Sequence, residues 1–152
     1  MIGPAGTGGS SEEGFKAIKK AGLGAVEVEF TYSVWMKKAD ALKINRLNKK
    51  LGLKLSIHAP YFINLASLEP HKVAASKARI LKCCEMGHYL GVKYIVFHAG
   101  FYQKKDPEDI FEKIKEGIIG LMEVIKEKKW KVVLAPETTG KPSQFGSLDE
   151  LI

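Results

Sequence analysis

Apolar runs of strand length alternate along this chain with longer segments of helical periodicity. The runs are rich in β-branched residues, which favours strands over helices. They cover residues 25–30 (AVEVEF), 53–58 (LKLSIH), 92–98 (VKYIVFH) and 131–137 (KVVLAPE), and a weaker run opens the chain at Ile2. Helical periodicity covers about residues 10–22, 36–51, 69–90 and 106–129. Strict alternation of this kind predicts parallel strands joined by helical crossovers.

The spacing of the strands narrows the choice of fold. Strands that begin at residues 25, 53, 92 and 131 lie 28, 39 and 39 residues apart. A complete (β/α)8 barrel needs about 250 residues, whereas this chain has 152. We therefore predict one domain over residues 1–152, a TIM barrel of the (β/α)8 type present as its first four and a half units and cut off inside a helix that Ser147 begins. A doubly wound open sheet is the alternative.

Composition and charge limit the class of protein. Lysine and arginine number 24 against 17 acidic residues, so the formal charge is +7, and Arg46 and Arg79 are the two arginines. Such a surplus favours weak attraction to polyanions. Cys83 and Cys84 are neighbours, which disfavours a disulfide between them. Without a signal-peptide pattern or an apolar run of membrane-spanning length, the sequence predicts a cytoplasmic protein with no membrane partner.

Three consecutive predicted strands end in residues that bind metals. His58, His98 and Glu137 each close a strand. The carboxyl ends of parallel strands meet at one edge, where α/β proteins build their sites. Two imidazoles and one carboxylate with an open fourth position form a common catalytic zinc site. The alternative is that each histidine caps its strand by bonding a nearby carbonyl group.

The loop after His58 carries two large aromatic residues, Tyr61 and Phe62. They either form a local core or, beside a metal site on a basic protein, stack on nucleic-acid bases. In the first clear strand Glu27 and Glu29 share one face, which predicts that both point into the barrel, to pair with lysine or water or to take part in catalysis. The remaining histidines, His71 and His88, lie in a predicted helix and are interpreted as surface or packing residues. The glycine-rich segment 3–11 is interpreted as a loop.

Three motifs resemble the endonuclease IV family of zinc-dependent apurinic/apyrimidinic endonucleases, and most resemble its archaeal-type members. They are HAPYFINLA at 58–66, VFHAG at 96–100 and PETTGKPSQFG at 136–146. The resemblance follows the whole chain in order and corresponds to the N-terminal half of the family's barrel. One difference is the loop TYSVWM at 31–36. Bacterial members of the family have a polar, arginine-bearing recognition loop, and this segment contains no arginine.

The resemblance implies a DNA-repair function. It implies hydrolysis of the phosphodiester 5′ to an abasic site in double-stranded DNA by a zinc-activated hydroxide. His58, His98 and Glu137 would be zinc ligands, Glu137 would also be catalytic, and Tyr61 and Phe62 would enter the DNA. The family uses three zinc ions, but this half offers ligands for about one, so the chain alone is expected to be weak or inactive and to self-associate through its barrel edges. The alternatives are a metal-dependent sugar isomerase or epimerase of a related barrel family and a non-catalytic metal- or DNA-binding fragment.

Overall fold

The core of the protein is a four-stranded parallel sheet. A computed structural model describes residues 1–6 and 12–152. The strands and helices in chain order are α1 (Glu12–Lys20), β1 (Ala25–Glu29), α2 (Lys38–Leu51), β2 (Lys54–His58), α3 (Pro70–Leu90), β3 (Tyr94–Phe97), β4 (Gly100–Phe101), α4 (Pro107–Glu127), β5 (Val133–Pro136), β6 (Gln144–Phe145) and α5 (Leu148–Leu151). The sheet has the order β1-β2-β3-β5, and all three pairs of neighbours are parallel.

The weak apolar run at the start of the chain continues this sheet beyond β1. Gly24 donates its backbone N–H to Ile2 O, and Glu27 donates to Pro4 O. Ala5 forms a parallel bridge with Glu27. The predicted first strand is thus a short segment beside β1, joined to it by one isolated bridge and these hydrogen bonds rather than as a regular strand. The rest of the glycine-rich segment, residues 7–11, lies outside the described residues.

The strand order distinguishes a barrel from a doubly wound sheet. A doubly wound sheet reverses its strand order at a switch point, whereas here the order follows the chain without reversal. The helices pack in the same sequence, with α1 on α2, α2 on α3 and α3 on α4. One layer of helices against strands in chain order is the arrangement of consecutive units in a (β/α) barrel. The predicted barrel topology is confirmed over these units.

The two faces of the sheet differ in their exposure to solvent. Val28, Ile57 and Ile95 lie side by side in register and are buried against the helices. On the opposite, inner face, Tyr94 and Val133 are 44% and 47% exposed. Burial of the first face removes apolar area from water and stabilises the fold by about 25 cal/mol per Å². The inner face keeps apolar surface in water.

Helix α4 shows how closely periodicity predicted the helices. Its buried side includes Ile110, Ile114, Leu121 and Ile125, whose spacings of four and seven residues place them on one face of a helix. The carboxylate of Asp106 accepts a hydrogen bond of 2.9 Å from the backbone N–H of Glu108, as an N-cap does. Among the described helices, none combines the length and the apolarity of a membrane span.

A short antiparallel ribbon was not predicted from the sequence. Strands β4 and β6 pair Gly100 with Phe145 and Phe101 with Gln144. The ribbon joins the loop after His98 to the loop after Glu137, so it holds together two loops at the carboxyl edge of the sheet.

Candidate functional site

The structure brings His58, His98 and Glu137 together at the carboxyl edge of the sheet. One ligand atom from each residue lies within 4.8 Å of the other two. Nε2 of His58 is 3.0 Å from Oε2 of Glu137, and Nε2 of His98 is 3.5 Å from the same oxygen. The side chains are 15%, 29% and 43% exposed, respectively. Convergence of the three residues agrees with the prediction from the strand ends.

The contacts of His58 place its Nε2 against a carboxylate oxygen. Its Nδ1 lies 2.8 Å from the carbonyl oxygen of Ala59, which can only accept, so Nδ1 carries the hydrogen. In a neutral imidazole Nε2 then presents a lone pair. That lone pair faces a carboxylate oxygen of Glu137 at 3.0 Å, and two lone pairs at this distance repel each other. A proton on Nε2 or a metal ion among the ligands removes this repulsion.

The donor set fits zinc. Ligands about 2.0–2.2 Å from a tetrahedral ion lie roughly 3.3–3.6 Å from one another. The nitrogen–oxygen distance from His98 to Glu137, 3.5 Å, lies in this range, and that from His58, 3.0 Å, is shorter. Nδ1 of His98 is also buried without a hydrogen-bond partner among the described residues. Imidazole nitrogens weigh against magnesium and calcium, which prefer oxygen shells. The carbonyl of Ala59 is the kind of outer partner that orients a metal-binding histidine.

The loop after β2 presents Tyr61 and Phe62 to solvent while its following residues are buried. Ile63 and Leu65 are 2% exposed, but Tyr61 and Phe62 are 57% and 59% exposed. The structure therefore rules out a local core for the aromatic pair. The ring centroids of His58 and Tyr61 are 6.2 Å apart, so Tyr61 lies beside the candidate metal cluster.

Helix α3 holds this loop in place through two hydrogen bonds. The backbone N–H of Asn64 donates to Oγ of Ser76 at 2.9 Å, and Ser76 in turn donates to Lys72 O within the helix. Nη1 of Arg79 donates to the carbonyl oxygen of Phe62 at 3.0 Å. The two anchors were not predicted, because they join residues 12 and 17 positions apart. The one feature of the sequence that marks Arg79 is that the chain contains only two arginines.

Tyr32 extends the exposed aromatic surface. It follows β1, is 73% exposed, and its ring centroid is 6.4 Å from that of Phe62. The sequence predicted no role for Tyr32, which lies in the loop 31–36.

The loop that follows Glu137 is tied to the start of α5. The hydroxyl of Tyr102 donates to Oε1 of Glu150 at 2.6 Å, and the backbone N–H groups of Gly146 and Ser147 donate to Oε2. Burial and the bond to Glu150 raise the pKa of Tyr102 to about 12. Burial alone would raise the pKa of Glu150, but the hydrogen bonds that it accepts outweigh burial and lower this pKa. Both shifts keep the pair in its hydrogen-bonded form at neutral pH.

We expect Gly146→Ala to damage the site through this loop. Gly146 has φ of +134°, and an added Cβ would lie 2.8 Å from the backbone oxygen of Glu137. Strained backbone of this kind costs about 1–3 kcal/mol, so both the melting temperature and the zinc affinity should fall. Gly140→Ala in the same loop is the control, because a Cβ there meets nothing within 4 Å. Equal effects of the two variants in thermal unfolding and zinc titration would contradict this expectation.

The other residues considered in the sequence stand apart from the cluster. His71 is exposed, and Nδ1 of His88 lies 3.4 Å from the backbone nitrogen of Lys131. Cys83 and Cys84 are buried and free, as expected, and burial raises the pKa of both thiols. Glu27 lies on the inner face and accepts a hydrogen bond of 2.8 Å from Ser56, and the strand register places Glu29 beside His58.

Fold and site together define a class of protein, a (β/α) barrel with a candidate metal centre at the carboxyl ends of its strands. Residues 15–152 match the family model described as Xylose isomerase-like TIM barrel. The chain belongs to this family.

The relatives found by sequence are matched over only part of their own length. An uncharacterized protein of Methanocaldococcus jannaschii is 38% identical over 155 aligned positions, which are 100% of this chain and 56% of that protein. A probable endonuclease 4 of Mycoplasmopsis pulmonis is 34% identical over 99 positions, 63% of this chain and 34% of that protein. The chain thus spans about a third to a half of the length of these relatives.

Solved structures show the same fold with different activities. A D-tagatose 3-epimerase-like protein superposes with a TM-score of 0.76 at 16% identity, over 97% of this chain and 58% of that one. Endonuclease IV from Thermus thermophilus superposes with a TM-score of 0.69 at 21% identity, over 94% of this chain and 53% of that one. At these identities the superpositions establish the fold alone.

Proposed function

We propose that this chain carries a metal- and DNA-contacting part of a zinc-dependent endonuclease that acts at abasic sites, as in endonuclease IV. The observation that carries the proposal is the exposed aromatic pair Tyr61 and Phe62 beside the cluster of His58, His98 and Glu137. Exposed aromatics can enter a base stack or cover an unstacked base. The net charge of +7 supports a polyanionic partner.

Each residue of the cluster has a defined part in this proposal. His58 and His98 would hold the ion through imidazole nitrogens, with His58 oriented by the carbonyl of Ala59. Zinc, when bound, supplies Lewis acidity toward a phosphate oxygen and lowers the pKa of a bound water. Oε2 of Glu137 faces both imidazoles, which leaves Oε1 to accept a proton from water or to contact a further cation. This second oxygen is the basis for assigning Glu137 a catalytic role.

The aromatic pair would select the lesion. An abasic site has no base to unpair, so extruding the nucleotide there costs less than at an intact site. Phe62 and Tyr61 would occupy the space that the missing base leaves. Because Ser76 and Arg79 anchor the loop, the two rings are held in place before DNA binds, which reduces the entropy lost on binding.

The test compares binding of abasic and intact duplex DNA. We expect Tyr61→Ala combined with Phe62→Ala to remove the preference for the abasic duplex. The dependence of affinity on salt should stay nearly unchanged, because counterion release reports phosphate contacts and both side chains are uncharged. Tyr94→Ala is the matched control, since Tyr94 is also half exposed but begins β3, at the opposite edge of the sheet. Fluorescence anisotropy at several salt concentrations measures both quantities.

Other outcomes of this experiment contradict the proposal. Equal loss of affinity for both duplexes would show that the two aromatic residues do not select the lesion. Wild-type protein with no preference for the abasic duplex would leave a metal- or DNA-binding module without lesion recognition.

Sugar isomerisation or epimerisation is the second candidate function. It is favoured by the carboxylates of Glu27 and Glu29 on the inner face, since carboxylates accept hydrogen bonds from sugar hydroxyls. Metal-dependent conversion of a ketose by the protein, without preference for abasic DNA, would support this function instead.

A further inference from the structure

A concavity lies next to Tyr61 and Phe62, between these residues and α3. It has a volume of about 610 Å³, within the range of small-molecule sites. Tyr61, Phe62 and Phe101 line it together with Ala75 and Arg79 of α3. His58, His98 and Glu137 do not line it, so it is distinct from the metal-binding cluster. We call it the α3 pocket.

The walls of the α3 pocket suit a planar ring. Phe62 and Tyr61 are more than half exposed, and Phe101 is partly buried. Aromatic faces stack on nucleobases of any sequence, and each such contact contributes to the affinity for single strands. The anchor from Ser76 to Asn64 keeps the aromatic wall in position relative to α3.

The rim of the α3 pocket is basic. Lys72 and Arg79 contribute cationic groups. Lys72 contacts the carboxylate of Glu69, which offsets part of its charge. Arg79 takes part in none of the ion pairs among the described residues. It donates through Nη1 to Phe62 O, so the rest of its planar fork is available to a phosphate.

We propose that the α3 pocket binds one unstacked nucleotide of a DNA strand, with the base against the aromatic wall and the phosphate at Arg79. This inference deepens the proposed DNA-directed function and rests on it for the identity of the polymer. Under this proposal Arg79 and Phe101 contact the nucleotide, and Phe62 lines the α3 pocket as well as forming part of the exposed aromatic pair.

The test uses labelled hexathymidylate, which contains no abasic site. We expect Ala75→Leu, which fills the pocket without changing charge, to lower the affinity at least about tenfold, the effect of losing one stacked base. Ala74→Leu is the matched control, because Ala74 is the exposed neighbour on the same helix and does not line the pocket. A hexamer of abasic units should bind wild-type protein about tenfold more weakly than hexathymidylate, since it offers phosphates without bases.

A second variant tests the phosphate contact. Arg79→Gln should reduce the slope of log affinity against log salt by about 0.7, the value for one phosphate on a single strand. Thermal unfolding of the same variant shows whether the loop and α3 remain folded. An unchanged salt slope in a folded Arg79→Gln variant would remove Arg79 from the site.

Failure of this inference and failure of the proposed function give different results. If abasic duplex is preferred but hexathymidylate binds equally to wild type, Ala75→Leu and Ala74→Leu, the α3 pocket is not a nucleotide site and the proposed function stands. If Ala75→Leu alone weakens hexathymidylate binding while abasic duplex is not preferred, the pocket stands and lesion recognition fails.

Discussion

Replacing His98 by alanine is expected to lower the zinc affinity of the chain by more than about a hundredfold. Loss of a residue that only hydrogen-bonds to a metal ligand already lowers metal affinity about 10–100-fold. Loss of His98 should have a larger effect, because His98 is predicted to bind the ion directly. Its Nε2 lies 3.5 Å from Glu137, and its Nδ1 is buried without a partner in the described part of the chain. Titration with zinc against a competing chelator measures the change.

The control for this variant is His88→Ala. His88 lies on α3, and no atom of it belongs to the metal-binding cluster, so zinc affinity should remain within about twofold of wild type, a difference of roughly 0.4 kcal/mol. Glu137→Gln keeps the shape of the third ligand but removes its charge, and it should also weaken zinc binding. Wild-type affinity in both His98→Ala and Glu137→Gln would refute the metal centre.

The second large effect concerns a polypeptide of these 152 residues alone. We expect it to bind about one zinc per chain, because the described residues contain one cluster of three candidate ligands. The reaction under the proposed function is a displacement at a phosphodiester, for which clustered metal ions stabilise both the attacking and the leaving oxygen. With a single ion the leaving oxygen lacks that stabilisation, so cleavage of abasic DNA should be poor or undetectable.

The same polypeptide is expected to self-associate. Tyr94 and Val133 on the inner face of the sheet and Met122 on α4 are 44%, 47% and 56% exposed. Exposed apolar surface and open strand edges favour association. Elemental analysis, light scattering and a cleavage assay at matched zinc measure the three expectations. Three tightly held zinc ions and full turnover by a monomer would show that the argument from ligand number is wrong.

The sequence by itself predicted the strands and helices and the three residues of the candidate metal cluster. Periodicity predicted the four strands of the parallel sheet and the four long helices to within two residues at each end, apart from the start of α1, which borders residues outside the described part of the chain. His58, His98 and Glu137 were predicted to meet because parallel strands place their carboxyl ends at one edge. Both results depend on local patterns, in which neighbouring residues dictate the direction of each side chain.

Tertiary structure decided the details on which recognition depends. The bond from Arg79 to Phe62 and the ribbon of β4 with β6 were not predicted. The sequence left open whether Tyr61 and Phe62 are buried and whether His58 bonds a nearby carbonyl group, and the structure shows an exposed pair and a bond to Ala59 O. Whether the aromatic pair is buried depends on how Ile63 and Leu65 pack, and whether Arg79 reaches the loop depends on where α3 lies. These contacts join residues that periodicity does not relate, because their geometry is set only when the helix layer has packed on the sheet.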